Sequence, residues 1–202
     1  MINKINSKPS IPKRIKRKLN KLKPFKCGLW DENDGVIKDF KFLLKIQLLK
    51  IQNNKCAYCG LPLNTTGKTE IEHFSPKGGC KRPNHTELAF SRYNLVLSCN
   101  LCNSPIKKGI YDTIKIKDIN YKKCTFKIVH PYFDEPSLHY KWVIEDEKIL
   151  IQYLSEKGDE SIKLFDLNSS SHAEERVKIK VREVIPLQKK DWELIKETLE
   201  YK

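Results

Sequence analysis

The chain has 202 residues, 39% of them apolar, with 39 Lys and Arg against 25 Asp and Glu, for a formal charge of +14. That length fits one domain, or one domain with a helical appendage, around a modest core. The longest apolar-rich stretch, residues 36–51, is interrupted by lysines, and no long apolar segment follows the basic N-terminus. A membrane span and a secretory signal are therefore not expected, and the reading is a soluble, cytoplasmic protein. The positive surplus suits a polyanion, nucleic acid foremost, although a generally Lys-rich composition gives the same balance. The seven cysteines are odd in number and partly paired in spacing, which favours metal binding in a reducing compartment over a disulfide framework.

Residues 1–26 carry ten Lys or Arg and no acid, broken by Pro9, Pro12 and Pro24, with room for a short helix over Lys13 to Lys23. Two readings stand for this segment: an arm on a phosphate backbone or acidic partner, or a solvated tail. Residues 36–54 predict a helix, because Val36, Ile37, Phe40, Leu43, Leu44, Gln47, Leu48 and Ile51 recur at three- and four-residue steps, with Phe42 and Ile46 widening the apolar face. Thr69 to Phe74 predicts a strand ending before Pro76. Residues 77–87 read as an irregular loop, and Ser104 to Gly109 as the start of a helix. Strands are expected at 125–129, 141–144 and 149–154. Helices are expected at 159–167, 172–185 and 187–200, the last two separated at Pro186.

The informative stretch is 56–103. Cys56-Ala-Tyr-Cys59 opens it and Cys99-Asn-Leu-Cys102 closes it, with 39 residues between the pairs. Two CxxC pairs supply four thiolates, the ligand set of a structural tetrahedral zinc with no open position. Cys27, Cys80 and Cys124 have no partner in the spacing and read as ordinary thiols. Inside the frame sits Glu72-His73. A carboxylate can hold a hard divalent cation, and a neutral imidazole can take a proton from water. Adjacent strand residues face opposite ways, so both can meet one phosphate only if the strand ends or twists there.

Cys-x-x-Cys, Glu-His-Phe-x-Pro and Asn-Leu-x-Leu-x-Cys-x-x-Cys-Asn followed by Lys resemble the zinc-stapled branch of the HNH endonucleases over residues 56–109. The resemblance implies an α+β fold with a ββα-metal (His-Me finger) core clamped by Cys56, Cys59, Cys99 and Cys102, flanking helices, and a small C-terminal strand and helix region. It implies His73 as general base, Glu72 and Asn103 as ligands of a catalytic Mg²⁺ or Mn²⁺, and Asn94 as the brace of the loop carrying His73. Glu72 departs from the family's more usual Asp. Asn103 stands where His is also found, and suits an oxygen-only site. The longer chain is similar to the HNH effectors of Septu and retron-associated antiphage systems, which implies a partner ATPase.

The expected organisation is a basic arm (1–35), a helix with the nuclease core (36–113) and a C-terminal region (114–202). The expected activity is metal-dependent hydrolysis of DNA. The rivals are a non-catalytic zinc module that binds nucleic acid and an RNA-cleaving nuclease with the same site. His130 and His139 read either as structural or as lining the groove, and Lys107 and Lys108 either as phosphate contacts or as a solvated helix start.

Overall fold

The computed structural model describes residues 1–64, 67–104, 106–185 and 188–199. The N-terminal segment is not a free tail. Ile5 and Ile11 are buried, and helix α1 (Lys13–Asn20) turns Ile15 and Leu19 inward while its basic residues face out. The Ile5 amide donates to the Pro131 carbonyl at 2.8 Å, and Arg92 donates to the Pro9 carbonyl at 2.8 Å. Four apolar side chains in a basic segment thus tie it across the core.

Helix α2 (Gly35–Ile51) buries Ile37, Phe40, Leu44 and Leu48, one row at three- and four-residue steps. Phe42 and Ile46, expected to widen that face, are 65% and 48% exposed. They fall outside the row, so the buried stripe is narrower than the apolar run. Gln52, at the end of α2, spans the gap to the sheet. Its Nε2 donates to the Leu97 carbonyl at 2.9 Å and its Oε1 accepts the Leu97 amide at 2.8 Å. The amide group pairs with a strand as a neighbouring strand would.

Strand β1 (Thr69–His73) pairs antiparallel with the later strand over Leu95–Cys99, with Glu72 opposite Val96 and His73 opposite Leu95. Between them lie β2 (Gly78–Gly79) and β3 (Arg82–Pro83), a minimal hairpin where the sequence predicts an irregular loop. The Leu95–Cys99 strand is β4, buried at every residue. Past Cys102, residues 106–110 form turns, so among the described residues no helix stands where one is expected, at Ser104 to Gly109.

The C-terminal half adds β5 (Ile114–Ile116) and β6 (Thr125–Phe126), then the hairpin β7 (Tyr140–Glu145) and β8 (Lys148–Tyr153). Helices α3 (Glu156–Phe165) and α4 (Ser170–Val184) pack on β8, and α5 (Lys189–Leu199) follows. Pro186, where the break between the last two helices is expected, lies outside the described residues. The architecture is α+β, with four two-stranded sheets among the described residues. None of the described helices is long and apolar enough to cross a membrane.

His130 is structural rather than part of a groove. It is fully buried, stacks on Phe133 at 4.1 Å and lies 4.2 Å from Phe74 between ring centroids. Its Nδ1 accepts the Tyr132 amide at 3.1 Å, which leaves the proton on Nε2, 3.3 Å from the Tyr121 hydroxyl. His139 likewise serves the fold, with Nδ1 2.6 Å from the Ser155 hydroxyl that caps α3. Burial holds the His130 pKa well below the ordinary 6.5. The unfolded chain therefore takes up a proton near 6.5 that the folded chain refuses, so the stabilisation is complete above that pH and is lost as pH falls below it. We expect unfolding free energy to drop by about 1.4 kcal/mol per pH unit for each such histidine below pH 6.5. Urea titrations at several pH values check this, and His130→Gln removes its share of the slope.

Candidate metal centre and active site

The four cysteines of the two CxxC pairs converge. Their sulfurs lie within 4.8 Å of one another and all four residues are buried. A tetrahedral zinc with Zn–S bonds of about 2.3 Å sets its sulfurs roughly 3.8 Å apart, and Cys59 and Cys99 are 3.8 Å apart here. The four thiols therefore fit a metal such as zinc. Local backbone explains the convergence. Gly60 takes φ +72° after Cys59, a left-handed turn for which a side chain would be strained. The Cys99 amide points at the Cys56 sulfur, 3.4 Å away. Because Cys99 ends β4, the β1–β4 ladder and the cysteine cluster share one backbone.

His73 ends β1. Its ring meets Trp30 edge-on at 4.4 Å, and its Nε2 lies 3.1 Å from the Ala89 carbonyl oxygen. A carbonyl only accepts, so Nε2 carries the hydrogen and Nδ1 keeps the lone pair. Nδ1 makes no hydrogen bond among the described residues. Burial, helped by the charges of Lys77 and Lys108, lowers the His73 pKa from 6.5 to about 3, against the opposing pull of the Ala89 carbonyl. The imidazole is therefore neutral at physiological pH, in one tautomer.

Trp30 comes from a short 3-10 turn at Leu29–Asp31. Two links hold that turn near the 77–83 loop: a Lys77–Asp31 ion pair at 3.1 Å and a Cys27–Cys80 disulfide with Cα atoms 5.0 Å apart. Cys27 and Cys80 are thus not the unpaired thiols their spacing predicts. They lie 53 residues apart in sequence, and only the fold brings them together. Cys124 remains a free, buried thiol.

Glu72 points elsewhere. Its carboxylate accepts from Lys108 Nζ at 2.6 Å, and the same ammonium donates to the His73 carbonyl at 2.8 Å. Lys108 is 1% exposed, so it is neither a solvated helix start nor a free phosphate contact. Lys107 is also engaged, on the Phe165 carbonyl and Asp166. Burial raises the Glu72 carboxyl pKa in spite of Lys108. Asn103 is brought not to Glu72 but to Glu70, with its Nδ2 donating to that carboxylate at 2.7 Å. Glu70 and Glu72 share a face of β1 by alternation. That face offers two carboxylates and the Asn103 amide oxygen, a donor set that suits a hard cation. Glu70 carries no signal in the sequence beyond its two-residue step from Glu72.

Asn94 is fully buried and its side chain makes four hydrogen bonds. Its Oδ1 accepts the Ser75 amide at 2.7 Å and the Tyr121 hydroxyl at 2.8 Å. Its Nδ2 donates to the carbonyls of Ser75, at 2.9 Å, and Leu88, at 3.2 Å. The side chain thus joins the chain just after His73 to the chain just before Ala89, the residue that orients the His73 ring.

No protein-family model matches the chain. It is similar to two curated proteins, each called Septu protein PtuB. One, from Bacillus mycoides (strain KBAB4), is 33% identical over 152 residues, which are 67% of this chain and 50% of that protein. The other, from Bacillus thuringiensis, is 36% identical over 99 residues, which are 48% of this chain and 32% of that protein. The chain spans half or less of these relatives, and within that share the likeness supports a component of a Septu system.

Proposed function

We propose that the chain is an HNH-type, metal-dependent endonuclease that hydrolyses DNA as an effector of a Septu antiphage system, working with a partner ATPase. The observation that carries this reading is the state of His73. A neutral imidazole, fixed in one tautomer by a backbone carbonyl, holds its lone pair on a nitrogen with no hydrogen-bond partner among the described residues. His130, by contrast, engages both ring nitrogens. The two Septu relatives supply the biological setting.

In this reading His73 Nδ1 takes the proton of the attacking water while the Ala89 carbonyl keeps the ring in place. Glu72 and Asn103, with Glu70 beside them, hold a Mg²⁺ or Mn²⁺ ion that would neutralise the phosphate and the leaving oxygen. Lys108 fixes the Glu72 carboxylate. Asn94 keeps the loop from Ser75 to Ala89 closed, and the cysteines hold a structural Zn²⁺. The +14 charge supplies attraction for the DNA backbone without reading sequence.

With purified protein and Mg²⁺ or Mn²⁺, we expect His73→Ala to lower plasmid cleavage by about 10²–10⁴-fold with zinc content unchanged. Cleavage at the wild-type rate removes His73 as the base. Asn103→Ala is expected to abolish cleavage and keep the zinc; loss of both makes Asn103 structural. Asn94→Ala strips four bonds from a buried site and is expected to cost about 2–4 kcal/mol of stability, measured by denaturant unfolding. Parallel assays on DNA and RNA test the substrate, and co-expression with a Septu-type ATPase tests whether activity requires the assembly.

A further inference from the structure

Arg176 on α4 is 6% exposed and belongs to no motif. Its Nη1 donates to the Ile149 carbonyl at 3.2 Å and its guanidinium lies 5.3 Å from the centroid of the Trp142 ring. Its Nε and Nη2 are buried and make no hydrogen bond. A buried cation with unmatched donors costs several kcal/mol unless negative charge lies near. Burial works against its charge, and the negative charge that would offset it is that of Cys59 and Cys102 as thiolates, one cysteine from each CxxC pair. No Asp or Glu of the described residues pairs with it. Cys59 and Arg176 also share the wall of a cavity of about 580 Å³ with Trp142 and Ile179.

One turn earlier on the same face of α4 is His172. It is fully buried, with its Nε2 3.8 Å from the Cys102 sulfur and its Nδ1 3.0 Å from both the Ser169 hydroxyl and the Asp166 carbonyl. The four-residue step places both residues over the cysteine cluster. A Zn²⁺ on four thiolates leaves two negative charges over, and groups behind the ligands commonly set how tightly such a metal is held.

We infer that Arg176 is the counter-charge of the zinc–thiolate centre, and that α4 closes the centre through Arg176 and His172 as residues positioned behind the ligands. This rests on the reading of the four cysteines as a zinc site. It makes zinc retention depend on a helix some seventy residues beyond Cys102. It also explains why a guanidinium sits among apolar walls with two nitrogens unmatched: the sulfurs draw on its charge rather than on a directed hydrogen bond.

The test uses the full chain loaded with zinc. Transfer of zinc to the chromophoric chelator 4-(2-pyridylazo)resorcinol is timed for wild type, Arg176→Met, Arg176→Lys and the exposed control Lys178→Met. We expect Arg176→Met to release zinc about 10-fold or more faster, Arg176→Lys to fall between, and Lys178→Met to match wild type. Equal release from Arg176→Met and wild type overturns the inference, as does equal acceleration in the Met and Lys variants, which marks lost packing rather than lost charge. If Arg176→Met does not fold, His172→Leu against His172→Gln decides: faster release from Leu alone supports the closure by α4, and no difference from wild type in either overturns it. Metal analysis of wild type separates the two readings. Absence of zinc there removes the zinc site itself, whereas one zinc per chain with unaltered release removes the counter-charge alone.

Discussion

The structure depends on closing the ends of a 48-residue stretch, Cys56 to Cys102 with its flanking residue, onto one point. Loop closure of that length carries an entropic cost that the hairpin of β1 and β4 cannot readily offset alone, since two-stranded sheets are marginal in water. Four sulfurs within 4.8 Å supply the clamp, and a metal bound there contributes its binding energy to folding. Cys99 is both the last residue of β4 and a member of the cluster, so the clamp also fixes the register that sets Glu72 opposite Val96 and His73 opposite Leu95.

From that register the polar groups follow. Alternation along β1 sends Glu70 and Glu72 to one side and His73 to the other. The acidic side is met by Asn103 and Lys108, from the chain just after the second CxxC pair. The His73 side is met by Ala89 and Trp30, from the loop before β4 and from the N-terminal segment. Asn94 joins the two ends of the intervening loop and accepts a hydrogen bond from the Tyr121 hydroxyl, which leads on to His130 in the aromatic core. The site is thus backed by a buried polar network in which each member has a partner, the condition under which such networks rigidify rather than destabilise.

Local pattern made much of this legible. The three- and four-residue steps of α2, the β-prone runs of β7 and β8, and the two CxxC pairs all act over short sequence distances or through strong ligand chemistry. The features that escaped are set by long-range contacts. Nothing in the spacing of Cys27 and Cys80 brings them together. Lys108 reads as a surface lysine until the fold lays Glu72 and the His73 carbonyl against it. Gln52 reads as a helix-end polar residue, yet it pairs with Leu97 like a strand. The expected helix after Cys102 gives way to turns, and those turns carry Lys108 back under β1. For the site, the sequence placed His73, Glu72, Asn94 and Asn103 in one neighbourhood but not Glu70, whose partnership with Asn103 depends on the fold.

The central proposal is that the acidic face of β1 holds a catalytic divalent ion at the end of the strand that His73 closes, separate from the zinc on the cysteines. Anomalous diffraction from crystals soaked in Mn²⁺, recorded at the zinc and manganese edges, tests it most directly. The account predicts a zinc peak inside the four sulfurs and a distinct manganese peak within about 2.5 Å of oxygens of Glu72 and Asn103. A manganese peak at neither residue, with zinc in place, would contradict it.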